Sequence, residues 1–199
     1  MALKVGVDID GVVYDTTAMM RDYGEKWWSS NRTTPYRFNP YKYDGAMFET
    51  DDWTGDYIMR HACNFQDVSY LNMEAIDAIV STGCEPFIIT ARWDDECSTR
   101  VLFKDTALQN VPIYTNVRDK GKLCKELGIH LMIDDHPSNI RSCIMWDVEA
   151  LMVSTKKTLY NHKYTEQFRN VLTDWSQLPM FMQALQSAGD CTGNGVSLC

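Results

Sequence analysis

Short apolar runs alternate with segments of helical hydrophobic period through most of the chain. Five runs predict strands, at residues 3–7, 85–90, 111–115, 129–135 and 149–154. Helical periods predict helices at residues 16–28, 72–83, 93–108, 119–128 and 136–145, and one or two closing helices within 164–186. Because strand and helix alternate, the pattern predicts an α/β, Rossmann-like fold with a doubly wound parallel sheet that helices cover on both faces.

Composition narrows the class of protein. A length of 199 residues with 45% hydrophobic residues is enough for one sizeable core and a small accessory lobe. The net charge of −8 argues against binding of a nucleic-acid polymer, which needs a broad basic surface. The seven cysteines are odd in number and mostly lie in apolar patterns, which favours reduced thiols. Without an apolar run of the ~18 residues of a membrane span, or a secretion signal, the sequence predicts a soluble cytoplasmic protein.

Polar residues follow the predicted strands at the edge where the carboxyl ends of the strands meet. Ligands of open parallel sheets bind just beyond these ends. The residues there are Asp8, Asp10, Thr90, Ala91, Arg92, Arg118, Asp119, Lys120, Lys122, Asp134 and Asp135. Each pattern alone is common, since acids often cap helices and lysines are usually solvated. Their joint placement at one sheet edge favours a functional site.

Four acids, a hydroxyl and one or two lysines suit phosphoryl transfer assisted by Mg²⁺. This ion prefers oxygen ligands, which the carboxylates of Asp8 and Asp134 and the main-chain carbonyl of Asp10 could supply. A lysine and the Thr90 hydroxyl could hold the phosphate oxygens. One aspartate can form an aspartyl-phosphate, and a second aspartate two residues further can act as acid and then as base.

Four segments, in order along the chain, resemble the motifs of the haloacid dehalogenase (HAD) superfamily of phosphatases. They are "VDIDGVVYD", "IITAR", a lysine in "RDKGK", and "IDDHP", and the resemblance covers roughly residues 3–154. It implies a HAD-type core in which Asp8 is the nucleophile and Asp10 is the acid/base. A finer similarity, to the 5'(3')-deoxyribonucleotidases, is carried by "DIDGVVYD", "VRDKGK" before "LMIDDHP", and "LYNHKYTEQFRNVLTDW". Those enzymes remove phosphate from nucleoside monophosphates.

The resemblance also implies how phosphate and metal are bound. Thr90, with Ala91 beside it, would bind the phosphate, and Lys120 would steady both the nucleophile and the phosphate. The residues implied to hold Mg²⁺ are Asp8, Asp10, Asp134 and Asp135.

Two features of the sequence qualify this comparison. His136 follows the paired aspartates where relatives often have arginine. Lys122 lies close enough to Lys120 to compete for the catalytic role, and we favour Lys120 because of its "RDK" context.

The stretch between Asp10 and Thr90 is longer than one helix and a turn require. The superfamily often places a cap over the site there, so we expect a small, mainly helical cap at residues 16–70. The core would comprise residues 1–15 and 71–187, followed by a mobile tail at 188–199.

Ten of the 23 aromatic residues lie within the predicted cap, between Tyr23 and Tyr57. They could form the core of a small lobe or stack on a nucleobase. Phe48 and Trp53 are the predicted substrate contacts, because they lie in a loop-rich stretch. Arg92 is a further candidate, which could reach a substrate phosphate or ribose or could pair with a neighbouring acid, Asp94 or Asp95.

We therefore expect a Mg²⁺-dependent phosphatase that acts on nucleoside monophosphates, particularly the deoxy forms. One alternative is a HAD phosphatase for another ester, such as a nucleic-acid 3'-phosphate end or a small metabolite. Another is a catalytically inactive HAD-like domain that binds a nucleotide or a partner, although no catalytic motif is missing from the sequence. The acidic charge disfavours a polymer substrate. Neither a nucleic-acid polymer nor a membrane is an expected partner, and a homodimer is left open.

Overall fold

The computed structural model describes residues 2–31, 36–42, 67–93 and 95–193, and only the backbone of residues 188–193. Within these ranges the chain forms a six-stranded sheet in the order β3-β2-β1-β4-β5-β6, with every neighbouring pair parallel. The strands are β1 (Lys4–Val7), β2 (Glu85–Ile89), β3 (Ile113–Tyr114), β4 (Leu131–Asp134), β5 (Glu149–Val153) and β6 (Val171–Leu172). The predicted α/β fold with a parallel sheet is confirmed.

Six α-helices lie in the described ranges, together with short 3₁₀ helices at Val68–Tyr70, Leu159–Gln167 and Trp175–Gln177. The α-helices are α1 (Thr16–Asn31), α2 (Met73–Ser81), α3 (Glu96–Val101), α4 (Lys120–Leu127), α5 (Pro137–Met145) and α6 (Leu178–Gly193). Local signals set several boundaries: the Asp119 carboxylate caps the start of α4, and Gly128 ends it at φ 66°, where a side chain would be strained. None of these described helices is both long and apolar enough to cross a membrane.

The two faces of the sheet bury different apolar clusters, and strand alternation decides which residue joins which cluster. On β1, Val5 and Val7 are fully buried in a cluster that includes residues of α1, α2 and α6. Gly6 faces the opposite side, where an added Cβ would lie 2.7 Å from Met132 Sδ. Met132 belongs to the second cluster, which also contains Cys124 of α4. The alternation thus fixes β1 rigidly between two packed layers.

The register of the three central strands brings their carboxyl ends to one level. Val7 of β1 is paired with Ile88 of β2 on one side and with Ile133 of β4 on the other. The next polar residues at this edge are Asp8, Thr90 and Asp134. Sheet register alone therefore gathers groups that are up to 126 positions apart along the chain.

The carboxyl-terminal part differs from the one or two helices predicted at residues 164–186. Val171–Leu172 forms β6, an edge strand that is too short to show a strand period in the sequence. The helix α6 then extends to Gly193, so the backbone of residues 188–193 is helical where a mobile tail was expected. Residues 194–199 lie outside the described part of the chain.

The helix predicted at residues 93–108 is also shorter than expected. It spans only Glu96–Val101 and begins after Asp95, whose carboxylate accepts a hydrogen bond from the Ser98 N–H. Turns follow, and Asp105 adopts φ 63°, a left-handed conformation that a helix cannot continue through. The buried apolar residues that follow Val101 (Leu102, Phe103 and Leu108) therefore lie in turns and not on one face of a helix.

The start of the predicted cap packs directly on the core. Met19 and Met20 of α1 are buried in the same cluster as β1. Tyr36 and Phe38 pack against this cluster, and their rings stack with centroids 6.4 Å apart. These aromatic residues therefore serve at least partly as core, and the division of the chain into core and cap stays a prediction.

Candidate active site

The centre of the site is a buried lysine between two aspartates. Lys120 Nζ lies 2.7 Å from a carboxylate oxygen of Asp8 and 2.7 Å from one of Asp134. All three side chains are almost fully buried. Burial lowers the pKa of Lys120, but the two carboxylates outweigh it and raise that pKa above its ordinary value. Lys120 therefore stays charged and partly neutralises both acids.

Lys122, the alternative catalytic lysine, lies elsewhere. It lies two positions further along α4, on the surface of the helix. Its side chain is 56% exposed, and its ammonium is 3.9 Å from a carboxylate oxygen of Glu126. The structure thus brings Lys120 to Asp8 and leaves Lys122 on the surface of the helix.

The negative charge around Lys120 is in excess. Burial raises the pKa of Asp8 to about 7, with Lys120 opposing the shift and Asp134 adding to it. Burial, followed by the charges of Asp134 and Asp8, also raises the pKa of Asp135 well above its ordinary value. Tyr160 donates a hydrogen bond to Asp135 but carries no charge. A single ammonium therefore does not balance three carboxylates in this buried space.

This group of carboxylates fits a divalent cation. One oxygen from each of Asp8, Asp134 and Asp135 lies within 4.8 Å of the others, and all three residues are buried. Hard oxygen donors with surplus negative charge are the ligand set that Mg²⁺ prefers. The donor chemistry thus matches the predicted metal ligands, with Asp10 able to contribute only its carbonyl because its carboxylate is bound elsewhere.

The carboxylate of Asp10 is held by an arginine from the end of β2. Arg92 Nε lies 2.9 Å from Asp10 Oδ2 and Arg92 Nη2 lies 2.7 Å from Asp10 Oδ1, a bidentate ion pair. Thr16 Oγ1 donates to the same Asp10 Oδ1 at 2.7 Å. Burial alone would raise the pKa of Asp10, but the Arg92 charge and these hydrogen bonds hold it below its ordinary value.

Arg92 pairs with Asp10 and not with Asp95, one of the two neighbouring acids that the sequence offers as partners. Asp95 instead caps α3, where its two carboxylate oxygens accept hydrogen bonds from Ser98. Asp94 lies outside the described residues. The Arg92 guanidinium carbon also lies 5.0 Å from the centre of the Tyr14 ring, so the arginine is fixed from two sides.

Thr90 and Ala91 form the turn between β2 and Arg92. Thr90 is 1% exposed, and its hydroxyl accepts a hydrogen bond from the Arg92 N–H at 3.2 Å. Ala91 is exposed at the sheet edge. This turn leads into the arginine that binds Asp10, and a role of Thr90 and Ala91 in phosphate binding stays a prediction.

The sequence did not predict the residues that hold Asp134 and Asp135, two of the candidate metal ligands, in place. Asn139 Nδ2 lies 3.0 and 3.1 Å from the two oxygens of Asp134, and the His136 N–H donates to Asp134 at 2.8 Å. Asn161 Nδ2 donates to the carbonyl of Asp135 at 2.8 Å. An amide in the first turn of the helix that begins within "IDDHP" was a usable signal for Asn139. Asn161 lies in a 3₁₀ helix, Leu159–Gln167, inside the segment "LYNHKYTEQFRNVLTDW" that carries the finer resemblance, but no spacing within that segment pointed to this residue.

Gly11 allows the chain to turn tightly beside these carboxylates. Its φ is 73°, and an added Cβ would lie 2.5 Å from both Asp135 Oδ2 and the Tyr160 hydroxyl. A side chain at this position would thus strain the backbone and push into the carboxylate group.

The predicted aromatic substrate contacts cannot be placed. Phe48 and Trp53 both lie within residues 43–66, outside the described part of the chain. Their contact with substrate therefore stays a prediction.

Comparison with known proteins defines the class of fold on which this site lies. No family model and no curated protein matches the sequence. Solved structures do match: a haloacid dehalogenase-like family hydrolase from Streptococcus pneumoniae has a TM-score of 0.66 at 11% identity, over 92% of this chain and 99% of that chain. The fold is therefore that of the HAD-like hydrolases.

Two further structures with this fold have more specific names. A predicted phosphoglycolate phosphatase from Haemophilus somnus has a TM-score of 0.57 at 12% identity and covers 92% of this chain and 98% of its own. CbbY from Rhodobacter sphaeroides, in complex with xylulose-1,5-bisphosphate, has a TM-score of 0.56 at 9% identity and covers 89% of this chain and 96% of its own. At such low identities the similarity describes the fold, and function must be argued from the site.

Proposed function

We propose that the protein is a Mg²⁺-dependent phosphatase that hydrolyses nucleoside monophosphates, particularly deoxynucleoside monophosphates. The observation that carries the proposal is the position of Lys120, 2.7 Å from both Asp8 and Asp134 at the carboxyl edge of the sheet. A buried ammonium beside a potential nucleophile, with three carboxylates ready for a cation, suits transfer of a dianionic phosphoryl group. A merely structural ion pair would not require the third acid, Asp135.

In the first proposed step, an oxygen of Asp8 attacks the phosphorus of the substrate. The bond from phosphorus to the leaving oxygen breaks, and Asp10, in its protonated form, gives its proton to that oxygen. The product is an aspartyl-phosphate on Asp8 and the free nucleoside. The Lys120 ammonium lies beside the attacking carboxylate, where it would also offset charge on the phosphoryl oxygens.

In the second proposed step, water replaces the nucleoside. Asp10, now ionised, takes a proton from water as the water oxygen attacks phosphorus, which releases phosphate and restores the Asp8 carboxylate. When bound by Asp8, Asp134, Asp135 and the Asp10 carbonyl, Mg²⁺ would neutralise charge on the phosphoryl group. The ion pair with Arg92 favours the ionised Asp10 that this step needs.

The same ion pair implies a movement in the first step. Both Asp10 oxygens are bound by Arg92, so at least one of these hydrogen bonds must open before Asp10 carries and donates a proton. A substrate phosphate, which is dianionic, would compete for the guanidinium. Arg92 would then pass from Asp10 to the substrate, in line with its predicted role in substrate binding.

Three features support a nucleotide as the substrate. The motif segments resemble those of the 5'(3')-deoxyribonucleotidases, and aromatic residues are concentrated after the first strand. The net charge of −8 disfavours a polymer and suits a small ester. Both named neighbours, a phosphoglycolate phosphatase and CbbY with a sugar bisphosphate, concern small phosphorylated molecules. A small non-nucleotide ester is accordingly the second candidate.

A substrate panel tests the proposal. Phosphate release should be measured from ribo- and deoxynucleoside monophosphates, phosphoglycolate, sugar phosphates and a 3'-phosphorylated oligonucleotide, each with Mg²⁺ and with EDTA. We expect deoxynucleoside monophosphates to give the highest kcat/KM and EDTA to abolish turnover. Faster hydrolysis of phosphoglycolate or a sugar phosphate would replace the nucleotide assignment, and no release from any ester would refute phosphatase activity.

A further inference from the structure

The rim of the candidate site carries an exposed tryptophan that no step above uses. Trp93 follows Arg92 in the loop after β2, and it is 79% exposed. Isolated apolar residues on a surface are common, so this exposure has no meaning by itself. Its chain neighbour, however, binds Asp10, which places Trp93 at the mouth of the site.

A second loop holds this ring in position. The Arg118 guanidinium carbon lies 4.7 Å from the centre of the Trp93 ring, a cation–π contact. Arg118 belongs to the loop after β3 and is followed two residues later by Lys120, which binds Asp8. The exposed ring therefore lies between its own loop, whose Arg92 binds Asp10, and the loop of Arg118, which leads to Lys120 and Asp8.

The two loops are also tied together through their backbones. The Asn116 N–H donates to the carbonyl of Arg92 at 2.7 Å, and the Val117 N–H donates to the carbonyl of Thr90 at 3.0 Å. These bonds fix the relative position of the segments that carry Trp93 and Arg118. The backbones that carry the ring and its cation are thus pre-ordered, which lowers the entropy cost of ordering the ring on a ligand.

One face of the indole remains available for a planar ligand. Because Arg118 covers one face and the residue is still 79% exposed, the solvent-accessible area must come from the other face and the edges. Alanine substitution of an aromatic residue that stacks on a nucleobase weakens binding about 5- to 150-fold in single-strand binders. With a cation behind the ring, the open face in front suits a neutral planar heteroaromatic ring and disfavours a second cation.

We propose that Trp93, held by Arg118, is the platform on which the nucleobase stacks while the phosphate lies at Asp8. This inference rests on the proposed nucleotidase function and adds a specificity-determining pair to it. It assigns base recognition to the loops of the core itself, in addition to any contact from residues 43–66. The ligand class is a heteroaromatic base joined through a sugar to the reacting phosphate.

The experiment compares two substrates that differ only in the base. Steady-state kinetics with a deoxynucleoside 5'-monophosphate and with 2-deoxyribose 5-phosphate should be measured for wild type, W93A, W93F and R118Q. We expect W93A to lower kcat/KM for the nucleotide about tenfold or more, mainly through KM. The same change should alter kcat/KM for the base-free substrate less than about twofold, because the phosphate and sugar contacts remain. W93F should retain most of the activity, and R118Q should show a smaller loss than W93A.

Met145→Ala is the matched control. Met145 is 84% exposed and lies at the end of α5, on the opposite edge of the sheet. Its removal should leave the kinetics of both substrates unchanged. Equal losses for both substrates in W93A, or unchanged nucleotide kinetics, would overturn base stacking at Trp93. Loss of self-association in W93A with unchanged kinetics would also overturn it, since the ring would then belong to an interface.

Failure of the proposed function would be recognised separately. If the wild type hydrolyses only the base-free substrate, the phosphatase assignment stands and stacking at Trp93 is overturned. If it hydrolyses neither, the proposed function fails, and calorimetric binding of the nucleotide to wild type and W93A decides the inference. Weaker binding to W93A would support stacking, and equal or undetectable binding would contradict it.

Discussion

The two carboxylates of "VDIDGVVYD" lie two residues apart but have opposite surroundings. On the Lys120 side, comprising Lys120, Asp8, Asp134 and Asp135, burial raises the pKa of Asp8 to about 7 despite the ammonium. On the Arg92 side, comprising Arg92, Asp10 and Thr16, the guanidinium and hydrogen bonds hold the pKa of Asp10 below its ordinary value. Neighbours from the helices and loops that follow the strands, and not the motif itself, therefore separate the properties of the two acids.

The chemistry of the two cations explains this difference. The guanidinium of Arg92 matches one carboxylate in a bidentate pair and leaves the Arg92 side close to neutral. The compact ammonium of Lys120 lies between two carboxylates and leaves the Lys120 side with excess negative charge. The Lys120 side is thus suited to a cation, whose charge together with the ammonium would admit a dianionic phosphate. The Arg92 side holds Asp10 ionised, which is the form that acts as a base.

The largest expected effect comes from removing the nucleophile on the Lys120 side. Asp8→Asn should lower kcat by at least about 1,000-fold, because the amide cannot form the covalent intermediate. Rapid-mixing assays of phosphate release would measure the loss, and circular dichroism would verify the fold. Activity within tenfold of wild type would exclude Asp8 as the nucleophile.

Removal of the ammonium should harm both activity and stability. Lys120→Met leaves three buried carboxylates without a cation, and at pH 8 without Mg²⁺ it should destabilise the fold by about 3–5 kcal/mol. Urea unfolding would measure this change.

The matched control for this prediction is Lys122→Met, two positions further along α4. Its ammonium is mostly solvated, so stability should change by less than about 0.5 kcal/mol and turnover should be retained. A larger loss in the Lys122 variant than in the Lys120 variant would reverse the assignment of the catalytic lysine.

Loss of the Arg92 guanidinium should remove the difference between the two acids by raising the pKa of Asp10. Arg92→Gln removes the main group that holds the pKa of Asp10 down, so this pKa should rise. The base function of Asp10 would then be lost at higher pH than in wild type, and kcat should fall about 10- to 100-fold at neutral pH. A pH–rate profile would show the acidic limb moving to higher pH, and an unmoved limb would contradict the role of Arg92.

The smallest effect concerns metal binding and its pH dependence. Because the folded pKa of Asp8 is raised, its contribution to stability is full below about pH 4 and is lost as the pH rises through about 7. Mg²⁺ competes with this proton and should raise the melting temperature by about 5–10 °C at pH 8 when present at 100 times its Kd. The increase should shrink at pH 5.5. A shift that is equal at both pH values, or that persists in Asp8→Asn, would place the ion elsewhere.

Much of the fold and the central groups could be predicted because they depend on short-range patterns. The register of buried strands such as β1 and β4 follows from their apolar residues, and the motif aspartates come directly after them. The sheet then brings Asp8 and Asp134 together, and the start of α4 adds Lys120, which the sequence favoured over Lys122.

The parts that were missed depend on long-range geometry. The partner of Arg92 is Asp10, 82 positions away, whereas nearby acids offered an easier choice. The edge strand β6 has two residues and no period, and α3 ends at Val101, before turns in which Asp105 adopts a left-handed conformation. Trp93 likewise gains its proposed role only when the loop after β3 is seen to carry Arg118 over its ring.

The most direct test of the account is to identify the phosphorylated residue during turnover. Wild-type protein mixed with Mg²⁺ and a deoxynucleoside monophosphate should be quenched in acid within milliseconds and analysed by peptide mass spectrometry. The account predicts a phosphoryl group on Asp8 that hydroxylamine removes and that is missing in Asp8→Asn and in EDTA. Phosphate turnover with the label on another residue would contradict the central claim that Asp8, beside Lys120, is the nucleophile.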